Sequence, residues 1–186
     1  MREPFFGWAA DAVDGLEWLV ELDDWAFANE REQLRGRHPK LVDVVHVRWA
    51  VSTAITAIDL CAAEVARRFG GLSPWTDRVP VLAGVIRDVE RGRYVVSEEA
   101  ASWLDAVAAD TAYRTIKAAR DPLTHRFLVR SAMIWNVPPQ GHHSRTEFAV
   151  PVESGQGRPD ARTLILLAHD VADRYVMSFA HVLQAL

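Results

Sequence analysis

The sequence has a single cysteine, Cys61, among its 186 residues. One thiol cannot form an intramolecular disulfide, and it cannot build a zinc site that needs several cysteines. Cys61 lies in an alanine-rich segment with helical periodicity, where we expect it to be a small core residue. The cysteine content therefore excludes disulfide-stapled folds and cysteine-based metal centres.

The sequence also lacks an uninterrupted hydrophobic run long enough for a membrane span. Its most apolar long stretch, residues 44–66, is interrupted by His46, Arg48, Asp59 and Glu64, and such ionisable groups are costly in hydrocarbon. The first residues turn acidic and lack the basic and then apolar order of a signal peptide. These features predict a cytoplasmic protein with no membrane partner.

A strong net charge is absent as well, but the charges are unevenly distributed. The formal net charge is −4, which gives no global sign of a nucleic-acid binder. Residues 1–36 hold nine acidic side chains and three Arg, whereas residues 113–146 hold six basic side chains and Asp121 as the one acid. The second segment can attract a polyanion, although a solvated basic face is the commoner explanation for such a cluster.

Helical periodicity dominates the chain and predicts an all-α fold in one domain, residues 1–186. The predicted architecture is a four-helix up-down bundle with a short extra helix and a β-hairpin insertion before the last helix. The hairpin is indicated by the β-like alternation within residues 127–152. The predicted helices cover residues 8–35, 41–69, 79–91 (the short one), 97–120 and 160–186. Ser97 and Asp160 are expected to cap the last two of them.

Asp59 and Glu64 fall within the second predicted helix, which is apolar over most of its circumference. A lone buried carboxylate is costly. We therefore expect Asp59 to bond a Trp, Tyr or Arg on a neighbouring helix. The alternative is that Asp59 lies behind a functional site formed by Arg120 and His125.

The segment of residues 117–126 brings a fixed cation, a carboxylate and an imidazole close together in sequence. Pro122 has no N–H and biases Asp121 away from the α region, so the helix is predicted to end near Arg120. Arg120, Asp121 and His125 would then lie around one tight corner, which is a candidate phosphodiester site. The alternative is a capped helix end, with Arg120 near the negative end of the dipole and His125 on the surface.

Basic side chains lead along the preceding helix towards that corner. Tyr113, Lys117 and Arg120 recur at spacings of four and three residues, so they share one helix face. An imidazole can act as base or acid near neutral pH, and an Arg can hold phosphate oxygens by two hydrogen bonds. RNA carries a 2′-OH beside each phosphate, so this pair of residue types suits its cleavage without a metal.

The Arg-x4-His spacing of Arg120 and His125, with the polar Asp121 after the Arg, resembles the HEPN superfamily. The resemblance implies a metal-independent endoribonuclease of a toxin or defence system. It implies RNA as substrate, no cofactor, a homodimer with a composite site, and an antitoxin or another protein as a further partner. The roles implied are His125 as acid and base, Arg120 as phosphate clamp and Asp121 as orienting group. Lys117, Arg126 and Tyr113 are then expected to bind the substrate.

Two other functions are compatible with the sequence. The first is a HEPN-like module that binds nucleotides, RNA or a protein without cutting. The second is a metal enzyme on a helical bundle, with three ligands drawn from the histidines. Those histidines are His46, His125, His142, His143, His169 and His181. Their spacing is unfavourable, since His169 and His181 are too far apart on one helix to share an ion.

Overall fold

The computed structural model describes residues 4–28, 39–74, 78–125, 131–136, 143–152 and 155–184. This part of the chain is mostly helical, in agreement with the predicted all-α class. The helices are α1 (Pro4–Ala28), α2 (Pro39–Gly70), α3 (Leu82–Glu90), α4 (Glu98–Ala109), α5 (Thr111–His125) and α6 (Ala161–Gln184). The strands are β1 (Ser131–Asn136), β2 (His143–Phe148), β3 (Val150–Val152) and β4 (Gly155–Gly157). The predicted end of the first helix, at residues 35–36, lies outside the described residues.

Helix α2 is the central element, and it packs against α1, α3, α5 and α6. Its small and branched side chains, among them Ala54, Ile58 and Val65, are buried and let the neighbouring helices approach closely. Cys61 is a free thiol that is buried among these side chains of α2, and its burial raises its pKa. The prediction that Cys61 is a small core residue is confirmed.

The segment Leu41–Gly70 of α2 is long and apolar enough to cross a membrane by length and composition, and 50% of its apolar window is buried inside the fold. The core helix of a soluble protein meets the same criterion. The described contacts of α2 are those of a core helix, since other helices pack along it. The cytoplasmic location remains a prediction.

The segment predicted as one helix over residues 97–120 is two helices, α4 and α5. Ser97 caps α4 as predicted, because its hydroxyl accepts a hydrogen bond from the Ala100 N–H at 3.2 Å. The chain then leaves the helical conformation at Asp110, whose φ of −70° and ψ of 121° are extended. The Asp110 carboxylate accepts hydrogen bonds from the N–H groups of Ala112 at 2.5 Å and Tyr113 at 3.0 Å. An Asp with this geometry begins a new helix.

The strands lie between α5 and α6. Strands β1 and β2 pair antiparallel, with Ser131 opposite Phe148 and Asn136 opposite His143, and they fall within the range for which the sequence predicts a hairpin. Strands β3 and β4 form a second antiparallel pair. Strand β2 is attached to α2, because the buried Asp43 carboxylate accepts a hydrogen bond from the Thr146 N–H at 2.7 Å.

The last helix begins where the sequence predicts it. Asp160 caps α6 by accepting a hydrogen bond from the Thr163 N–H at 2.7 Å. Its apolar face, which includes Leu164, Val171 and Phe179, is buried against α1 and α2. Trp103 of α4 also packs on this helix, with its ring centroid 4.9 Å from that of Phe179.

Candidate functional site

The candidate site lies along the C-terminal half of α5, and this helix does not end at Arg120. It continues through Pro122 and ends at His125, so the predicted tight corner is wrong. A proline inside a helix removes one backbone hydrogen bond, while the other residues of the turn can keep theirs. Leu123, which is 7% exposed, buries this last turn against the core along the same stripe as Ile116 and Ala119. Burial of that stripe offsets the lost bond.

The continuous helix sets the relation between the positions of Arg120 and His125. Five residues of α-helix rotate by about 140° about the axis and advance by about 7.5 Å. Positions 120 and 125 of one chain therefore do not share a helix face. Positions 121 and 125 are four residues apart and do share one. The side chains of Asp121 and His125, and the whole of Arg126, lie outside the described residues.

Asp59 of α2 lies beside the basic face of α5. Burial raises the pKa of its carboxyl, while the hydrogen bond from Leu82 and the charges of Arg120 and Lys117 act in the opposite direction without cancelling it. The Oδ1 atom accepts that hydrogen bond from the Leu82 N–H at 2.7 Å. Asp59 thus caps α3 from another helix and also faces the cations of α5. Its observed bond is to a backbone N–H, not to the Trp, Tyr or Arg side chain predicted from the sequence.

Tyr113 and Lys117 form the next part of the face. The Lys117 Nζ atom lies 5.8 Å from the centroid of the Tyr113 ring, which is within cation–π range. Tyr113 is only 3% exposed, and burial, together with the charge of Asp59, raises its pKa while the charge of Arg120 lowers it. The predicted substrate contact of Tyr113 therefore falls on a core residue. Lys117, which is exposed, is the side chain that solvent reaches at this turn.

Arg114 belongs to the same helix but has a structural position. Its guanidinium donates hydrogen bonds to the carbonyl oxygens of Ala108 at 3.1 Å and Ala109 at 3.0 Å, at the end of α4. Cations at this position satisfy the last carbonyl groups of a helix and interact favourably with its dipole. The basic side chains of α5 thus divide into Arg114 at the α4–α5 junction and Lys117 and Arg120 beside Asp59.

The histidines give no support to a metal centre in the described part of the chain. Among the residues described there, no group of three or more His, Cys, Asp or Glu side chains could hold a metal ion. His46 instead contacts the buried Asp23 of α1, with 2.9 Å between Nδ1 and Oδ1. His169 and His181 lie on α6, and His181 is exposed.

The helix start at Asp110 was not predicted from the sequence, and the partner of Asp59 was predicted wrongly. Asp110 carries a recognisable signal, since an Asp followed by helical periodicity is a common helix start. The hydrogen bond from the Leu82 N–H to Asp59 has no local sequence signal, because the two residues are 23 positions apart and belong to different helices.

No protein-family model, curated protein or solved structure matches this chain.

Proposed function

We propose that this protein is a metal-independent endoribonuclease that binds the RNA backbone along the C-terminal half of α5. Lys117 and Arg120 bind phosphate, and His125 acts as the acid and base, with Asp121 orienting it. Arg126, next to His125 in sequence, is proposed to bind the substrate as well. A role in a toxin or defence system, with an antitoxin-like protein partner, belongs to the same proposal.

The observation that carries the proposal is the position of Asp59 beside Arg120 and Lys117. One carboxylate attracts both cations by its charge and cannot neutralise the two of them. Burial raises the pKa of Asp59, and the hydrogen bond from Leu82 and the charges of those cations lower it only in part. Groups with perturbed pKa values are concentrated at functional sites, and structural ion-pair networks perturb pKa values too. The arrangement therefore supports an anion site at this position of α5.

The residue types then determine the chemistry. A base removes the proton of the 2′-OH, and the 2′-oxygen attacks the neighbouring phosphorus. The bond from phosphorus to the 5′-oxygen breaks, and an acid protonates that leaving oxygen. Negative charge accumulates on the phosphate oxygens during this step, where a fixed Arg stabilises it most. The products are a 2′,3′-cyclic phosphate and a free 5′-OH.

The site is proposed to be composite and to form in a homodimer. Positions 120 and 125 of one chain lie on different sides of α5, about 140° apart. A twofold axis close to the end of α5 would place Arg120 of each chain near His125 of the other. The two protons of the reaction, one removed and one delivered, would then be handled by two imidazoles.

A second candidate is a protein that binds RNA without cutting it. The continuation of α5 through Pro122 favours this function, because it separates the two positions that a single-chain active site needs on one face. The two candidates share the binding residues Lys117 and Arg120. They differ in the presence of cleavage products.

The first experiment is incubation of the purified protein with labelled RNA in EDTA. The proposal expects fragments that end in a 2′,3′-cyclic phosphate, detected by mass spectrometry. Binding without fragments would establish the second candidate. Cleavage that appears only after a divalent metal is added would contradict both the mechanism and the assignment of His125.

The composite site is tested by mixing two impaired variants, Arg120→Ala and His125→Ala. A mixed dimer contains one intact combination of Arg120 from one chain and His125 from the other. Because one Arg120 and one of the two imidazoles remain in the shared groove, the mixture should be more active than either variant alone and less active than the unmodified dimer. A fully active monomer, or a dimer whose mixture is no more active than the two variants measured separately, would show that each site belongs to one chain.

A further inference from the structure

A face of α1 and α2, remote in sequence from the basic segment, exposes large apolar side chains. The two helices run antiparallel here, because Asp23 contacts His46 and Trp18 contacts Trp49. The Trp18 and Trp49 rings meet edge to face, with 6.0 Å between their centroids, and they are 54% and 46% exposed. Contact between two tryptophans normally removes both from water, so this exposure is unusual.

The exposed stripe on α1 alternates tryptophans with acids. The residues at successive spacings of three and four, all exposed, are Asp11, Asp14, Trp18, Glu21 and Trp25. This spacing keeps them on one helix face. Helix α1 contains no Lys or Arg at all. The stripe is therefore an aromatic surface with carboxylates between the rings.

Helix α2 continues the same face with apolar side chains. Leu41, Val45 and Trp49 follow at spacings of four residues, and all three are exposed. His46, which contacts α1, lies on one side of Trp49 around the helix, whereas Arg48 lies on the other side, away from α1. The basic Arg48 thus borders the outer edge of the face. We call the set Trp18, Trp25, Leu41, Val45 and Trp49, with Asp14 and Glu21, the Trp–acid face.

We propose that the Trp–acid face is a docking surface for a basic amphipathic helix of a partner protein. The apolar side of such a helix packs against the tryptophans, in the manner of helix-in-groove recognition. Its Lys or Arg side chains meet Asp14 and Glu21 and lie over the neighbouring rings, where cation–π attraction adds to the ion pairs. Trp is also the residue type most enriched among energetically dominant interface positions.

Charge selects this occupant over the two others that are available. A second copy of the chain meeting this face through the same face would oppose one acidic stripe to another, which is unfavourable. RNA phosphates would be repelled by the same carboxylates. A basic protein segment is complementary to both the apolar and the acidic parts of the surface. This inference does not depend on the proposed RNA site.

The test uses a synthetic helical peptide of Leu and Lys, about 18 residues long, titrated against the full chain by calorimetry. A peptide with the same Leu pattern and Glu in place of Lys is the charge control. The Leu/Lys peptide should bind about tenfold more tightly or better. Equal affinity of the two peptides, or no binding of either, would overturn the proposal.

Two double variants locate the binding. Asp14→Lys with Glu21→Lys should weaken the Leu/Lys peptide about tenfold or more. Asp105→Lys with Asp173→Lys is the matched control, since both of these acids are exposed on α4 and α6 and the change in net charge is identical. The control should retain the original affinity. An equal loss in both variants would mean that the peptide responds only to the overall charge, and the proposal would fail.

A third variant tests the aromatic part of the face. Trp18→Ala with Trp49→Ala should reduce the affinity for the peptide about tenfold, while circular dichroism confirms an unchanged helical content. Sedimentation of the unmodified chain is measured alongside. If the chain self-associates and the Trp variant dissociates it, the occupant is a second copy and the proposed partner is wrong.

Discussion

A carboxylate lies beside basic side chains at each end of α5, and the pKa values of the two carboxylates are shifted in opposite directions. At the first end, Asp110 binds two backbone N–H groups, accepts a hydrogen bond from the Tyr175 hydroxyl at 2.7 Å and pairs with Arg174 at 3.0 Å. Burial raises its pKa, but these hydrogen bonds and the Arg174 charge outweigh burial, so the pKa lies below its usual value. In the second half, burial dominates and the pKa of Asp59 is raised.

The difference separates a structural charge from a candidate functional one. The hydrogen bonds and charges of neighbouring residues, including Tyr175, compensate the Asp110 carboxylate. In turn, burial and the Asp110 carboxylate raise the pKa of Tyr175 to about 12. Asp59 has one backbone hydrogen bond and acts on Lys117 and Arg120 through its charge. Two cations beside one carboxylate keep a net positive charge that can attract an anionic ligand. The first end of α5 therefore has a structural carboxylate, and the second end is where we propose that a ligand binds.

The largest expected effect is on catalysis at the second end. His125→Ala should reduce RNA cleavage by about 10²- to 10⁴-fold, because it removes the group that transfers protons. Asp110→Asn is the control from the other end, and its cleavage rate per folded molecule should remain close to that of the unmodified chain. The rates are measured with labelled RNA in EDTA. Full activity in His125→Ala would remove the assignment of function to this end.

The next effect concerns the phosphate clamp. Arg120→Ala should lower cleavage or RNA affinity by about 10- to 100-fold, since one charge-assisted contact to phosphate is lost. Arg91→Ala is the matched control, because Arg91 is exposed at the end of α3 and has the same charge. Affinity is measured by fluorescence anisotropy at two salt concentrations. A loss of equal size in both variants would indicate a non-specific charge effect.

The third effect is on stability and is expected at the first end. Asp110→Ala removes a helix cap and a hydrogen-bond acceptor of Tyr175, and it should lower the free energy of unfolding by about 2–3 kcal/mol. Asp59→Asn retains an oxygen that can accept from Leu82, and it should change stability by less than about 1 kcal/mol. Urea denaturation followed by circular dichroism measures both. The reverse order would contradict the assignment of Asp110 to structure.

The smallest effect is the pH dependence, which has opposite signs at the two carboxylates. The pKa of Asp110 is lower in the folded protein than its ordinary value of 3.8. Its ionised carboxylate therefore stabilises the fold fully above pH 3.8, and this stabilisation is lost as the pH falls through the pKa of the folded protein. The pKa of Asp59 is higher in the folded protein than its ordinary value of 3.8. Its protonated carboxyl therefore stabilises the fold fully below pH 3.8, and this stabilisation is lost as the pH rises through the pKa of the folded protein. Between about pH 3 and pH 7, the unmodified chain should gain stability relative to Asp110→Asn and lose stability relative to Asp59→Asn. Parallel profiles for the two variants would remove the distinction.

The sequence by itself determined the elements that depend on local rules. The helical class, the long central α2, the caps at Ser97 and Asp160 and the burial of Cys61 all follow from side-chain periodicity and capping chemistry. The break between α4 and α5 at Asp110 follows the same capping chemistry. It was not predicted, because the apolar periodicity of residues 101–119 continues across Asp110 without interruption.

Tertiary structure decided what happens where a local rule competes with burial. Pro122 signals the end of a helix, yet α5 continues to His125 because Leu123 packs into the core. The position of Asp59 in an apolar helix predicts a buried charge that is costly to leave unpaired. In the structure Asp59 caps α3 by accepting the Leu82 N–H and faces Arg120 and Lys117. Neither result can be obtained from the residues alone, because each depends on which distant helix lies opposite, and packing sets that placement.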